Sequence, residues 1–334
     1  MKKIIVLFFA VTSSLCIFLS CTKAKKENGE VINREQTKDT VVIKNMGEIA
    51  EYDKVPERVV VVGYENAEVM AKLGLADKIV GVTACMYTPN DCYPELYKNI
   101  ENVQVLPSGR GRDVPGFETI LSLNADMVYC LSYHLNDDYI APMQTFKENN
   151  IHVYVPEGTY EKNASVESVF HDLENLGKIF KVEKKAEEVI DEYKTRLDAV
   201  QKKLVNEKPV DVFIFDYQDK AGIMTPGGIG FQNNLITLAG ARNIFSDFDK
   251  DFDIATIEQI LTRNPEYIII VEYFHDNEAK EKIAYLESVP ELAEVSAIKN
   301  KNYIILSGVG YFPSLHNADA IETIAQKLHP SLFK

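Results

Sequence analysis

The chain has 334 residues, with 36 Lys and Arg against 50 Asp and Glu and a formal net charge of −14. An acidic excess of that size weighs against nucleic acid and against an anionic membrane surface as partners. With 46% hydrophobic residues, the length is enough to bury two modest cores.

Met1-Lys2-Lys3 followed by Ile4–Leu19 is a basic start and an apolar run too short to span a bilayer comfortably. It reads as an export signal over residues 1–20. The run ends Phe18-Leu19-Ser20-Cys21, a small residue before a Cys. This resembles a bacterial lipoprotein signal, with Phe18 where that pattern has Leu. Cleavage would then make Cys21 the acylated N-terminus; ordinary cleavage with a free Cys21 is the alternative. Residues 21–39 are polar and charged and read as a flexible tether between membrane and domain. No later segment is long and apolar enough to cross a membrane.

Thr40–Asn45 and Glu48–Tyr52 flank Met46-Gly47 and predict a hairpin. Val59–Val62 is a continuous β-branched run, which suits a parallel strand buried on both faces. Gly63-Tyr64-Glu65-Asn66 reads as a loop, Ala67–Leu73 as a helix and Ile79–Val82 as the next strand, a right-handed crossover unit. Val103–Leu106 is a further candidate strand. It feeds a loop with two Arg and two Gly, Ser108-Gly-Arg110-Gly-Arg112-Asp113. Asp126–Leu131 and Ile151–Val155 read as strands, with a helix over Pro142–Asn149 between them. Ser165 and Ser168 are helix-start residues, so a helix is expected from there to Phe180.

Glu183–Asn206 is the longest periodic segment. Ala186, Val189, Ile190, Tyr193, Leu197, Val200 and Leu204 recur at intervals of three and four, on one face of an α-helix. No Gly or Pro interrupts it, and Pro209 stands beyond its end. At 1.5 Å per residue it would be roughly 36 Å long. It is either a surface helix on one domain or a strut between two lobes. Related segments on its two sides favour the strut. Phe117-Glu118-Thr-Ile-Leu-Ser-Leu-Asn-Ala-Asp126-Met-Val128 precedes it, and Ile257-Glu258-Gln-Ile-Leu-Thr-Arg-Asn-Pro-Glu266-Tyr-Ile268 follows it. Both read as a helix turn, a short break and a buried strand, the mark of an internal repeat. The expected organisation is an N-terminal α/β lobe over 40–164, a helical linker over 165–207 and a C-terminal α/β lobe over 208–334. The expected fold class is α/β, a mainly parallel sheet in each lobe being what the resemblance named below implies.

Beyond the strut, Val210–Phe215 is a strand with which Ile223–Thr225 is expected to pair. Pro226–Gln232 is a loop, Asn233–Leu238 a helix and Tyr267–Val271 a strand. A helix near Lys282–Leu286, a strand over Tyr303–Leu306 and a helix over Ala318–Leu328 close the chain.

Of the five cysteines, Cys85 and Cys92 bracket the turn-rich MYTPND in an oxidising location and are a candidate disulfide. Cys130, within MVYCL, reads as a buried small apolar residue. Ligands of open α/β sheets lie beyond the carboxyl ends of the strands. The residues there are Tyr64, Glu65, Tyr87, Arg110, Arg112, Tyr133, His134, Tyr160, Tyr217, Gln218, Phe231, Tyr273, His275, Tyr311 and Phe312. The aromatic rings offer contact area to a flat or aryl-rich ligand. Arg110 and Arg112 are suited to an anionic chelate. Each Tyr taken alone is equally a sheet cap.

PERVVVVGYENAEVMAKLGLADKIVGV, FETILSLNADMV, FQNNLITLAGARNIF, IEQILTRNPEYIIIV and the KNKNYIIL stretch resemble, in this order, the periplasmic-binding-protein family for iron complexes and vitamin B12. The resemblance runs from about Asp39 to Leu328 and rests on no single motif. It implies two α/β lobes joined by one long helix, small closure on ligand and a largely pre-formed cleft. It implies no intrinsic cofactor and no enzymatic activity. The implied protein is a monomer that works with an ABC transporter permease and its cytoplasmic ATPase, held at the membrane by its lipid anchor alone. In that family one Glu on each lobe pairs with Arg of the permease. The matching residues are Glu118 and Glu258; near a helix start, each is also favoured by the helix dipole. A ferric siderophore is the ligand favoured by the Arg pair. Haem, with Tyr133, His134, His275 or Tyr311 as axial ligand, and a corrinoid are the alternatives.

A secreted hydrolase is the reading from another class. The chain has no G-x-S-x-G, H-E-x-x-H or G-x-x-x-x-G-K-[ST] pattern. A free-metal-binding lipoprotein would need three or four converging His and carboxylate ligands, and the six His are dispersed.

Overall fold

The structure is a computed structural model that describes residues 39–334 except 86, 108, 110–113 and 274–276. The chain enters through an antiparallel hairpin, β1 (Val41–Asn45) and β2 (Glu48–Tyr52). The first parallel sheet follows. It contains β3 (Val59–Val62), β4 (Ile79–Thr83), β5 (Met127–Tyr129) and β6 (His152–Tyr154), in the order β4-β3-β5-β6. All four valines of β3 are buried, Val59 and Val61 on one face and Val60 and Val62 on the other. That is why the run carries no polar alternation. Val103–Leu106 does not form a strand. It makes a single bridge from Val105 to Val82, and Val105 is exposed.

Helix α1 (Tyr64–Lys72) starts at once after β3, three residues earlier than its composition suggests. Gly63 permits this with φ 96°, a conformation costly for any side chain. The supposed loop residues Tyr64, Glu65 and Asn66 are therefore a buried first turn. Then come α2 (Pro94–Ile100), α3 (Phe117–Ser122), α4 (Met143–Glu148) and α5 (Val166–Phe180). Ser165 caps α5 by accepting a bond from Glu167 N at 3.3 Å.

The strut is α6 (Glu183–Leu204), 22 residues long. Its seven buried residues are the seven apolar positions named from the sequence. Beyond it lie β7 (Val210–Phe215), β8 (Tyr217–Asp219), β9 (Gly222–Pro226), α7 (Phe231–Leu238), β10 (Ala241–Asn243), β11 (Phe252–Ala255), α8 (Ile257–Arg263) and β12 (Tyr267–Glu272). The chain ends with α9 (Glu278–Ser288), α10 (Ser296–Lys299), β13 (Tyr303–Ser307), α11 (Gly308–Tyr311) and α12 (Asn317–Leu328). The second parallel sheet has the order β10-β7-β12-β13. Numbered within each lobe, both sheets run 2-1-3-4. The repeated segments supply α3 with β5 and α8 with β12, the third strand in each case. The expected pairing of Ile223–Thr225 with β7 is corrected. β9 sits between β11 and β8 in a separate antiparallel sheet, tied to the end of β7 by Asp216 N to Met224 O at 3.1 Å.

One apolar cluster runs from one face of β3 and β5 through α1, α5, α6 and α12 to one face of β7 and β12. Each sheet's other face has its own smaller cluster. The lobes thus share a core along the strut, and a polar clasp reinforces it. Glu68 of α1 meets His316 at 2.7 Å, both buried. Tyr93 stacks on His316 with ring centroids 3.9 Å apart and donates its hydroxyl proton to Asp319. Arg196 of the strut pairs with Asp319 and, at 2.8 Å, with Glu322.

Candidate ligand cleft between two sheet ends

In each sheet the strand order reverses between the first and third strands, β3 and β5 in one lobe and β7 and β12 in the other. Such a reversal opens a crevice beyond the strand ends, the usual ligand position in open α/β sheets. A cavity of about 180 Å³ lies between the lobes here. Leu131, Tyr133 and Tyr160 line it from the N-terminal side, and Phe231, Phe252 and Phe312 from the C-terminal side. Tyr133 is exposed and Tyr160 half-buried. The cavity rim is fixed by contacts across the lobes. Gly158 lies so close to Pro313 that a Cβ on it would fall 2.5 Å from the proline ring. Asn163 N donates to Ile229 O at 3.0 Å, and Val166 N to Asn234 Oδ1 at 3.1 Å. A second cavity of similar size sits against the strut, lined by Lys72, Tyr93, Val189, Tyr193, Arg196 and Leu315. It belongs to the clasp rather than to the strand ends, and its cations are already paired with Glu192, Asp319 and Glu322.

Below the inter-lobe cavity lies a buried polar layer. Glu65 is 3% exposed, and among the described residues neither carboxyl oxygen has a hydrogen-bond partner. Burial, followed by the charge of Glu68, raises its carboxyl to about 8. Tyr87 and Tyr311 are also buried with unpartnered hydroxyls. Burial comes first in raising the Tyr87 phenol. Glu65 of its own lobe and Asp216 of the other add to it, together with Cys85 and Tyr133. Tyr87 therefore spans the two switch points electrostatically. Tyr133 lies in the field of Glu65, and Tyr311 packs edge-on to Phe312 at 5.5 Å and against Phe252 at 6.5 Å. The ring contacts put Tyr311 directly behind the cavity lining, and Glu65 and Tyr87 stand beyond the carboxyl ends of β3 and β4, at the same crevice.

The C-terminal lobe's acid at the corresponding place is Asp216, 6% exposed. It accepts a bond from Tyr273 Oη. Lys282 reaches the same corner, donating to Asp216 O at 2.6 Å and Val271 O at 2.5 Å while pairing with Glu278 at 2.7 Å. Burial raises the Asp216 carboxyl to about 6; the Tyr273 bond and the Lys282 charge oppose the rise.

Of the residues expected beyond the strand ends, Tyr133, Tyr160, Phe231 and Phe312 line the cavity, and Glu65, Tyr87, Tyr273 and Tyr311 form or flank the layer below. Arg110, Arg112 and His275 lie outside the described residues, as does Cys21. Tyr64 turns the other way, packing edge-on to Tyr97 of α2 at 6.1 Å within the apolar core. Tyr217 is exposed and Gln218 half-buried on the edge strand β8, and neither lines the cavity. The inward residue at the end of β7 is its neighbour Asp216. The 2-residue period of the strand, read one position further, would have found it. His134 is fully buried behind Tyr133. Its Nδ1 accepts from Leu131 N at 3.3 Å, and burial lowers it to about 4. It is a neutral core imidazole, closed to an axial-ligand role. Cys85 and Cys92 are not joined to each other in the structure, which departs from the disulfide expectation. Cys85 Sγ faces His134 Nε2 at 3.9 Å. Cys92 packs into the α1–α2 core with its Sγ 3.9 Å from Thr88 O.

Glu118 and Glu258 are both exposed, each the second residue of its helix, α3 or α8. Leu121 and Leu261, three residues on in the repeat, are each 40% exposed. A spacing of three puts each Glu and Leu on one helix face.

Two like-ordered parallel sheets, one connecting helix and a cleft between facing strand ends define a solute-binding protein with a helical backbone. The model described as periplasmic binding protein matches residues 59–308, and the chain belongs to that family. It is 26% identical over 285 residues to the uncharacterized ABC transporter substrate-binding lipoprotein YvrC of Bacillus subtilis, covering 84% of this chain and 82% of the relative. It is 25% identical over 215 residues to the vitamin B12-binding protein of Yersinia pestis, covering 64% of this chain and 69% of that one. A periplasmic binding protein from Veillonella parvula superposes with a TM-score of 0.78 at 26% identity, over 87% of this chain and 98% of that one. A structure described as an ABC-type Fe3+-hydroxamate transport system from Saccharomonospora viridis superposes with a TM-score of 0.72 at 19% identity, over 86% of this chain and 99% of that one. The protein is therefore the exported substrate-binding component of an ABC transporter. Its partners are a permease and an ATPase, and it is not an enzyme.

Proposed function

We propose that this lipoprotein, anchored through Cys21, captures a ferric-siderophore-type complex between its lobes and delivers it to the permease. The observation that carries the reading is the cleft at the two switch points, walled by Tyr133, Tyr160, Phe231, Phe252 and Phe312. Rings on both lobes suit a compact chelate whose organic shell is gripped from two sides. Delivery uses the outward faces. Glu118 with Leu121 and Glu258 with Leu261 present the same charged and apolar pair from each lobe, so the docking partner shows two copies of one basic surface. A corrinoid is the second reading, favoured by the relative named as vitamin B12-binding.

The test is a thermal-shift titration of the chain lacking residues 1–21 with a ferric trihydroxamate, a ferric tris-catecholate, haem and cobalamin. Linkage raises stability by about 4 kcal/mol at a thousandfold excess over Kd. A shift with a ferric chelate supports the main reading, and a shift with cobalamin alone supports the second. No shift with any of the four overturns the assignment of cargo.

A further inference from the structure

Glu65 is a buried acid with nothing to hold. The groups around it are Glu68 of its own helix, Tyr87 and Cys92 of the turn after β4, Tyr129 of β5 and Tyr133 of the next turn. None is a cation. Tyr87 and Tyr311, from opposite lobes, add two buried hydroxyls that are also unpartnered. Buried polar groups nearly always find partners, so three groups beyond the carboxyl ends of β3, β4 and β13 that are orphaned among the described residues mark a place fit for partners from a ligand. The acid at the other switch point lacks this character, being bound by Tyr273.

We propose that the Glu65–Tyr87–Tyr311 layer is a subsite for a hydrogen-bond-donating group of the cargo, an ammonium or a carboxamide N–H. The carboxyl accepts from that group, and the two phenols donate to a neighbouring carbonyl of the ligand. The complex carried is accordingly neutral or cationic at that end, a hydroxamate-type chelate with a free amine or an amide-bearing corrinoid, rather than a polyanionic catecholate. This inference rests on the reading that a metal complex is the cargo.

The experiment is calorimetry on the chain lacking residues 1–21, with a ferric trihydroxamate bearing a free primary ammonium, the same chelate N-acetylated, a ferric tris-catecholate and cobalamin. Wild type, Glu65→Gln and Glu65→Leu are compared. Gln keeps an acceptor without charge, and Leu removes both. The expected result is that the complex that binds wild type loses about tenfold or more on Glu65→Leu. An ammonium donor gives a similar loss on Glu65→Gln and on N-acetylation, with wild-type affinity rising from pH 6 to pH 8 as the carboxyl ionises. An amide donor keeps most of its affinity on Glu65→Gln. Binding that is indifferent to both variants overturns the subsite and leaves the cargo reading intact, the layer then being satisfied by water. Tight binding of the catecholate also overturns the subsite. Absence of binding by all four complexes overturns both.

Discussion

The two lobes share a strand order, a repeated helix–strand segment and an acid at the switch point, yet they treat that acid differently. Asp216 sits in a finished network, with Tyr273 on its carboxylate and Lys282 on its carbonyl. Glu65 sits in an unfinished one, with neither oxygen partnered. The same topological position is thus a structural joint in one lobe and a reserved contact in the other. Duplication supplies two equivalent crevices, and satisfaction of polar groups decides which of them has capacity left for a ligand.

The sharpest way to break the comparison is to unfinish the C-terminal network. Lys282→Met removes the ammonium bonds to the carbonyls of Asp216 and Val271 and leaves Glu278 without its 2.7 Å partner. Removing one member of a buried ion pair costs about 3–5 kcal/mol. Urea denaturation at pH 7 should show a loss in that range. A loss under 1 kcal/mol would mean that the corner is not the stable joint it is taken to be.

The converse change finishes the N-terminal side. Raising a carboxyl from 4.5 to about 8 corresponds to roughly 5 kcal/mol of penalty on its ionised form. The sign follows from proton counting. Between the unfolded value near 4.5 and the folded value near 8, the native state holds a proton that the unfolded state has released. Stability from this group therefore falls as pH rises through that window and is lowest above pH 8. Glu65→Leu should raise the stability of the ligand-free protein at pH 8.5 by about 2–4 kcal/mol, with little effect at pH 4.5. Equal effects at the two pH values would show that Glu65 is not held neutral by burial.

These two acids also mark the limit of what the sequence discloses. The strut was legible because seven apolar residues at helical spacing report directly on one buried face. The β-branched runs and the repeat were legible for the same reason, since a period states which side is covered. Val103–Leu106 shows the limit of composition, because a strand also needs a neighbour. Four cavity-lining aromatics followed from topology. Tyr64 did not, because whether α1 starts at residue 64 or 67 rotates every side chain, and one glycine torsion decides it. Asp216 was missed by one position of strand alternation. The Glu68–His316 contact joins residues 248 apart and leaves no local trace.

A smaller change sharpens the contrast from within the C-terminal joint. Tyr273→Phe removes the donor on Asp216 and keeps the ring, which leans toward Phe312 at 6.3 Å. A buried carboxyl deprived of one hydrogen bond costs about 1–3 kcal/mol. Burial already raises Asp216 to about 6, so the variant should push it higher and extend the pH range over which stability falls beyond pH 6. Denaturation midpoints at pH 5 and pH 7.5 should diverge more in the variant than in wild type. Parallel shifts would place the Tyr273 hydroxyl outside the Asp216 network.

The smallest expected effect on stability belongs to the feature on which the lobes agree. Glu118 and Glu258 occupy the same helix position, are both exposed, and each stands beside a Leu of equal exposure. Exposed changes away from special features move stability by about 0.5 kcal/mol or less, so Glu118→Ala, Glu258→Ala and Leu121→Ser should leave unfolding and ligand affinity unchanged. If the faces are docking surfaces, transport should fall with each substitution and fall further when both lobes are altered, because a partner that reads two copies of one surface loses its grip from both ends. Uptake in cells carrying the double variant Glu118→Ala, Glu258→Ala, measured beside ligand affinity of the purified protein, separates the two demands. Lost uptake with intact affinity assigns the matched pair to the permease. Normal uptake would leave the likeness of the lobes as a relic of duplication at these positions, and the function of the molecule would reside wholly in the place where the lobes differ.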